Sequence, residues 1–224
     1  MQVGWFGQSA FALGAGDDSV VIDPFGDMEA ARGRGMTWNY PEIKDAVADL
    51  LLVTHEHGDH NAVHVVGGVK QTVRSSAGTV GTQLGRLVGI ASEHDAVAGT
   101  QRGANVIYVF EMGSVRVCHM GDFGQAELRP EQRKAIGKID LLFIPVGGMA
   151  TIDGRAAAEL VELLAPSWVV PMHYRTPAIS FLEPLDGFLA AVKGEVVALD
   201  RSAFDTTEVA PDGGRMIVVP APPT

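Results

Sequence analysis

Leu50-Leu51-Leu52-Val53 runs directly into Thr54-His55-Glu56-His57-Gly58-Asp59-His60-Asn61. Four apolar residues closed by a glycine-containing turn read as a strand buried on both faces, the parallel type, because the run is too short for a helix core. His55 and His57 stand two apart, so in extended backbone both imidazoles leave the chain on one side. Gly58 permits a sharp turn, and Asp59 is a residue type that caps helix N-termini. Asp59 and His60 then project on a different bearing, so one segment can serve two neighbouring cations. Neutral imidazole and carboxylate suit zinc, and also manganese or iron. A single exposed histidine, or two on a surface loop, would mean little. Three histidines and an aspartate packed against the end of an apolar strand would crowd polar groups without partners unless a metal takes them.

His-x-His-x-Asp-His after a hydrophobic strand resembles the signature of the metallo-β-lactamase superfamily. The rest of the chain can be tested against that resemblance, beginning with its bulk properties. At 224 residues and 46% hydrophobic content it can bury a substantial core, and a single domain over 1–224 is expected. No apolar run approaches a membrane span, and the N-terminus lacks a basic-then-apolar leader. Cys118 is the only cysteine, so no internal disulfide can form and a cytoplasmic location is expected. It lies in the strand-like Val115-Arg116-Val117-Cys118-His119 and reads as a small buried residue rather than a nucleophile. The formal net charge of −10 disfavours nucleic acid as a partner. A small anionic substrate stays compatible with it, because two divalent ions would make the site locally positive. An oligomer is left open.

N-terminal to the motif, Val3 to Phe6, Ala10 to Leu13 and Ser19 to Ile22 read as strands of an antiparallel meander separated by glycines. Asp23-Pro24-Phe25-Gly26 ends the third strand, and on its own Asp23 is a turn residue. Residues 26–42 form a long connection without periodicity, whose Trp38 and Tyr40 either wall a pocket or pin the loop. C-terminal to the motif, Asn61 to Val66 suggests a short helix carrying a non-ligand His64, and residues 67–89 carry only weak strand signals. Leu87 to Ala91 leads to Ser92-Glu93-His94-Asp95. Asn105 to Glu111 and Ser114 to His119 form a hairpin across Met112-Gly113, running into Gly121-Asp122-Phe123-Gly124. A Gly-Asp-x-Gly turn is weak by itself. Pro130 to Ile136 reads as a helix with proline near its start. Asp140 to Pro145 is a buried strand; Thr151 or Asp153 can cap a helix whose Ala157, Leu160, Val161 and Leu164 make an apolar stripe. Trp168 to Pro171 is a strand ending at Met172-His173-Tyr174-Arg175-Thr176. A helix over Glu183 to Val192 and strands at Glu195 to Leu199 and Met216 to Val219 complete the chain.

This order of elements says mixed α and β, an α/β (α+β) domain. The resemblance implies more: a four-layer αββα sandwich in which His55, His57 and His94 hold one metal and Asp59, His60 and His173 the other, with Asp122 bridging. It implies that Asp23 hydrogen-bonds a ligating histidine from outside. Two divalent ions are implied, zinc first, with Mn2+ or Fe2+ the other candidates. A hydroxide between them would attack an ester, lactone or phosphoester bond, and Asp59 would also accept a proton. Tyr174 and Arg175 would then lie beside the metals, where they either bind a small-molecule substrate or are loop residues; sites of this kind place polar groups at strand ends, which favours the first. The chain looks closest to the cytoplasmic bacterial-type branch that includes L-ascorbate-6-phosphate lactonase-like proteins. That branch often reads Gly-His-Ser near the N-terminus, where this chain has Gly7-Gln8-Ser9. The competing readings are an RNA or nucleotide phosphodiesterase of the same fold, a di-iron redox protein, and a metal-binding protein without catalysis. Redox relatives usually carry Glu at the position of His57 and an added flavin domain.

Overall fold

The computed structural model describes residues 1–33 and 35–224, so within the connection over 26–42 Arg34 lies outside the described residues. Strands are numbered along the chain. β1 (Gln2–Gly7), β2 (Ala10–Ala15), β3 (Asp18–Ile22), β5 (Leu50–Val53), β7 (Gln71–Arg74) and β15 (Ala203–Asp205) form a six-stranded sheet in the order β15-β1-β2-β3-β5-β7. β8 (Gly78–Thr82), β9 (Gly85–Glu93), β10 (Ala104–Met112), β11 (Val115–His119), β12 (Leu141–Pro145), β13 (Trp168–Met172), β14 (Glu195–Ala198) and β16 (Met216–Val219) form an eight-stranded sheet. Its order is β14-β16-β13-β12-β11-β10-β9-β8. β4 (Ala46–Val47) and β6 (Val66–Gly67) pair by themselves.

The two large sheets pack face to face because their strands alternate. In the first sheet Val3, Trp5, Phe11, Leu13, Val20, Ile22, Leu50, Leu52 and Val73 join the main core, while Val21 and Leu51 belong to a second cluster on the opposite face. The Phe11 and Phe143 rings meet at 4.5 Å between centroids and mark the contact between the sheets. Each fully buried Leu or Phe of this kind contributes about 1.5–3 kcal/mol. Helices α2 (Pro130–Ile136) and α3 (Gly154–Leu164) cover the outside of the eight-stranded sheet, and α4 (Asp186–Ala191) packs on α3. Asp153 caps α3 by accepting from the Ala156 N–H at 2.9 Å, and Ala157, Leu160, Val161 and Leu164 are its buried stripe, as their spacing predicts. This is the αββα sandwich, with a thin outer layer on the six-stranded side: the 3-10 turn Val63–Val65 and the β4–β6 pair lie over Val21 and Leu51.

The connection after β3 contains the short helix α1 (Glu29–Arg32). Trp38 and Tyr40 are buried against Phe25, Ile43, Ile179 and Leu182, so they pin the connection rather than wall an open pocket. No helix among the described residues is long and apolar enough to cross a membrane.

Strand direction sets where chemistry can sit. β3, β5 and β7 are mutually parallel, and so are β11, β12 and β13. β9 is antiparallel to β10, which is antiparallel to β11, so β9 runs with β11; by the same count β1 runs with β3. The C-terminal ends of β1, β3 and β5 therefore share one edge of their sheet, and those of β9, β11 and β13 share one edge of the other.

Candidate metal centre

Each of those ends carries a polar group. The β1–β2 turn brings Gln8 and Ser9, and Asp23 follows β3. His55 to His60 follow β5, His94 follows β9, Asp122 comes shortly after β11, and His173 follows β13. After β5 the chain does not start a helix at Asp59. Residues 58–60 form a turn in which the His60 N–H donates to His57 O at 3.0 Å. The Asp59 carboxylate faces His60 Nε2 at 3.6 Å, so it is committed to the cluster and not to capping backbone N–H groups. Glu56 points away and bolts the loop down, accepting from Arg74, Ser75 and Asn61.

The candidate ligand atoms converge in two sets. Those of His55, His57 and His94 lie within 4.8 Å of one another, and so do those of His55, His60 and Asp122. Asp122 is the centre: its Oδ2 is 3.1 Å from His173 Nε2, 3.2 Å from His94 Nε2, 3.3 Å from His60 Nε2 and 4.0 Å from His55 Nε2. All but His57 and Asp59 are buried. His55 Nε2 and His60 Nε2 are buried with no hydrogen-bond partner among the described residues. Orphaned imidazole nitrogens facing a buried carboxylate fit a cation, which would take their lone pairs directly.

Outer hydrogen bonds aim the rings. Asp23 accepts from Thr54 N–H at 2.7 Å and Thr54 Oγ1 at 2.6 Å, and its Oδ2 meets His60 Nδ1 at 3.1 Å. Thr54 Oγ1 lies 3.1 Å from His55 Nδ1, and Ala150 O lies 2.9 Å from His94 Nδ1. With Nδ1 engaged, Nε2 is left for a metal in all three rings. Asp122 is held as well: Ser9 Oγ donates to its Oδ1 at 3.0 Å, and its own N–H donates to Asn105 Oδ1 at 3.0 Å. Gly121, at φ +56°, has no room for a side chain, since a Cβ there would sit 2.3 Å from Asn105 Oδ1. A Cβ on Gly147 would sit 2.1 Å from the His173 carbonyl, so that loop can pass His173 only as glycine.

Burial pushes His55 down to about 2, aided by the neighbouring His60, so its ring is neutral and ready to ligate. Burial disfavours charge on Asp122, but His173 and His60 beside it hold its carboxyl well below the usual range. Burial alone would lower His60; Asp122, Asp59 and Asp23 outweigh it and hold the ring well above its ordinary value. The same contest, decided by the hydrogen bond and charge of Asp122, raises His94. A proton on these rings supplies the positive charge that three buried or half-buried carboxylates demand, which is the charge a metal would bring.

His64 is exposed and outside the cluster. His119 is buried, with Nε2 3.1 Å from Ser9 O and Nδ1 accepting from the Gly121 N–H at 3.1 Å, so both nitrogens are used structurally. Burial pushes the Cys118 thiol up to about 12, as expected of a packing residue. Tyr174, next after His173, is buried in the main core and stacks on Trp5 at 5.7 Å, so its side chain does not open onto the cluster as a substrate contact would. Arg175 is exposed, and its Nε donates to Leu182 O at 2.7 Å. Ser9, Thr54, Asn105 and the Ala150 carbonyl were not singled out from the sequence as site groups. Thr54 acts through three hydrogen bonds, and Ser9, Asn105 and the Ala150 carbonyl through one each to Asp122 or His94.

Known proteins are similar to this chain in sequence and fold. The family described as the Beta-lactamase superfamily domain matches residues 2–173. A UPF0173 metal-dependent hydrolase of Thermococcus onnurineus is 34% identical over 89% of this chain and 96% of its own. A UPF0173 metal-dependent hydrolase of Thermus thermophilus is 32% identical over 79% of this chain and 84% of its own. Among solved structures, a Thermotoga maritima protein assigned to the Zn-dependent hydrolases of the metallo-β-lactamase superfamily superposes with a TM-score of 0.75. It is 31% identical, covering 97% of each chain.

Proposed function

The chain belongs to the metallo-β-lactamase superfamily, and we propose that it is a hydrolase that uses two divalent cations to cleave an ester, lactone or phosphoester bond of a small substrate. The observation that carries this reading is the position of Asp122, one carboxylate oxygen within 3.3 Å of nitrogens from His60, His94 and His173. Only a group at the boundary of two ligand sets has donors from both halves of the fold so near it. His55, His57 and His94 would hold one ion, Asp59, His60 and His173 the other, and Asp122 would join them. When bound, such a pair supplies Lewis acidity and lowers the pKa of water toward neutrality.

The chain's own residues supply the rest. Thr54, Asp23 and the Ala150 carbonyl keep Nε2 of three rings directed inward. Asp59, whose side chain is 24% exposed beside the buried His60, is the carboxylate of the cluster open to solvent and so suited to accept a proton. Arg175, exposed two residues after His173, is the candidate substrate contact, whereas the Tyr174 side chain is taken up by the main core. Imidazole and carboxylate donors favour zinc, with Mn2+ and Fe2+ as alternatives. A lactone or phosphate-bearing metabolite of the cytoplasm fits this reading better than nucleic acid, given the net charge of −10.

The test is reconstitution. Chelated protein reloaded with Zn2+, Mn2+ or Fe2+ should hold two ions per chain by elemental analysis. It should turn over a member of an ester, lactone and phosphodiester panel, with turnover lost on chelation and restored by metal. No more than one ion per chain after reloading, or turnover indifferent to chelation, would sink the proposal.

A further inference from the structure

His173 differs from the other buried ligand rings. His55, His60 and His94 each have a partner on Nδ1, whereas His173 Nδ1 is buried with none among the described residues. A neutral imidazole that ligates through Nε2 carries its proton on Nδ1 and needs an acceptor there. A second orphan is Gln8, 1% exposed, whose Nε2 and Oε1 are both buried and unpartnered. A primary amide has two donors and an acceptor, and buried amides are rarely left wholly unpaired.

The two orphans belong to touching segments. The His173 N–H donates to the Gln8 backbone carbonyl at 3.4 Å, and the Trp5 indole donates to the same carbonyl at 3.0 Å. Gln8 and His173 both have φ of 52°, a left-handed backbone that non-glycine residues seldom adopt and that is held only where surroundings dictate it. The next residue, Ser9, donates to Asp122 Oδ1. The β1–β2 turn thus straps together the two ligands Asp122 and His173, and Gln8 is the member whose side chain has no other employment.

We propose that Gln8 is the positioning residue of His173: in the metal-loaded protein its carboxamide oxygen accepts the His173 Nδ1 proton, directly or across one buried water, and fixes the ring toward its ion. This rests on the two-cation reading above. The amide and Nδ1 together offer three polar atoms, enough to hold one water if the contact is bridged. The other three rings are aimed by a hydroxyl, a carboxylate and a backbone carbonyl, and the carboxamide completes the set with a neutral acceptor.

The experiment titrates metal-free wild type, Gln8→Leu and Gln8→Glu with Zn2+ against a competing chelator, and records melting of the metal-free forms. Leucine keeps the size and removes the polar atoms; glutamate keeps an oxygen acceptor. For Gln8→Leu one of two binding steps should weaken about 10–100-fold, the scale of lost outer-shell partners. The other step should stay within about threefold, and metal-free melting should not fall, because two unpaired buried polar atoms have gone. Gln8→Glu should recover most of the lost affinity. Wild-type affinity at both steps in Gln8→Leu, equal weakening of both, or no recovery with glutamate would overturn the assignment. If wild type itself takes up only one ion, the dinuclear reading falls and this assignment falls with it; that outcome is read from the wild-type arm alone.

Discussion

The six-stranded sheet delivers its candidate ligands from one loop, His55 to His60 after β5, whereas the eight-stranded sheet delivers His94, Asp122 and His173 from three separate strand ends. In the first region, spacing along a short segment sets the geometry, and a hydrogen bond from His60 N–H to His57 O closes it locally. In the second, geometry depends on three strands running the same way and on loops that pass closely enough, such as Gly121 against Asn105. A local motif tolerates changes elsewhere in the fold; a dispersed set is only as good as the sheet that aligns it. Asp122 is where the two regimes meet.

Removing that junction should have the largest effect. Asp122→Ala takes away the carboxylate within 3.3 Å of His60, His94 and His173, and in the proposed two-cation centre it would leave less negative charge between the ions. kcat should fall by at least about a hundredfold, the scale of lost catalytic electrostatics. Metal content should drop from two toward one while the fold survives. Were Asp122 only a turn former, the variant would lose about 1 kcal/mol of stability and keep both ions. Turnover and metal stoichiometry on one folded sample decide between them.

Asp23→Ala tests the local region from behind. It removes the acceptor of two bonds from Thr54 and one contact to His60, all fully buried. About 3 kcal/mol of stability should be lost, because buried donors are left unpaired. Metal affinity should fall about 10–100-fold as the His60 and His55 rings lose their aim. A denaturant midpoint and a metal titration that both match wild type would show that the loop holds itself without this anchor.

The same contrast explains what could be read in advance. β5, β12, β13, α2 and α3 announce themselves by apolar runs, a proline at a helix start or a stripe at helical spacing. The ligand loop is legible because its residues are adjacent. His94 is locally an ordinary loop histidine, and Asp122 an ordinary turn aspartate; only the resemblance to a known family singled them out. β8 and β15 are edge strands with half-polar faces, so their sequences carry little periodicity. The expected helix over Glu183 to Val192 shortens to Asp186–Ala191 because Glu183 N–H is drawn to Gly147 O and its carbonyl to Arg175 N–H, tertiary bonds that no local pattern encodes. Trp38 and Tyr40 were equally consistent with pocket wall and anchor, and burial alone resolves such a choice.

Proton linkage sharpens the comparison at a smaller scale. His60 in the metal-free protein is held well above its ordinary value by Asp122, Asp59 and Asp23, so it carries a proton at neutral pH that a metal must displace. His55, pushed down to about 2, has none to give. Ion uptake should therefore release protons, and affinity should rise with pH until His60 deprotonates unaided, by about tenfold per unit for each proton released. Calorimetric titrations in buffers of different ionisation enthalpy count those protons. Uptake with no proton release would mean that the cluster's histidines are already neutral.

Arg175 should give the smallest effect, and it probes whether the dispersed region extends from ligands to substrate. Its Nε donates to Leu182 O at 2.7 Å and its N–H donates to Glu183 O at 2.8 Å, so the side chain is tethered at one edge while its outer nitrogens face solvent. No carboxylate pairs with it among the described residues. A tethered guanidinium can form a planar fork to a carboxylate or phosphate, and in an exposed place such a contact contributes about 1 kcal/mol. Arg175→Ala should raise KM for an anionic substrate by about fivefold, leave KM for a neutral ester unchanged, and keep both ions and kcat. Arg175→Lys should recover part of the loss, since it returns the charge without the fork. The lost bond to Leu182 should cost stability by no more than about 1 kcal/mol. Equal KM values for anionic and neutral substrates in wild type and Arg175→Ala would leave that tether as the arginine's whole role, and the substrate would then have to be oriented from elsewhere.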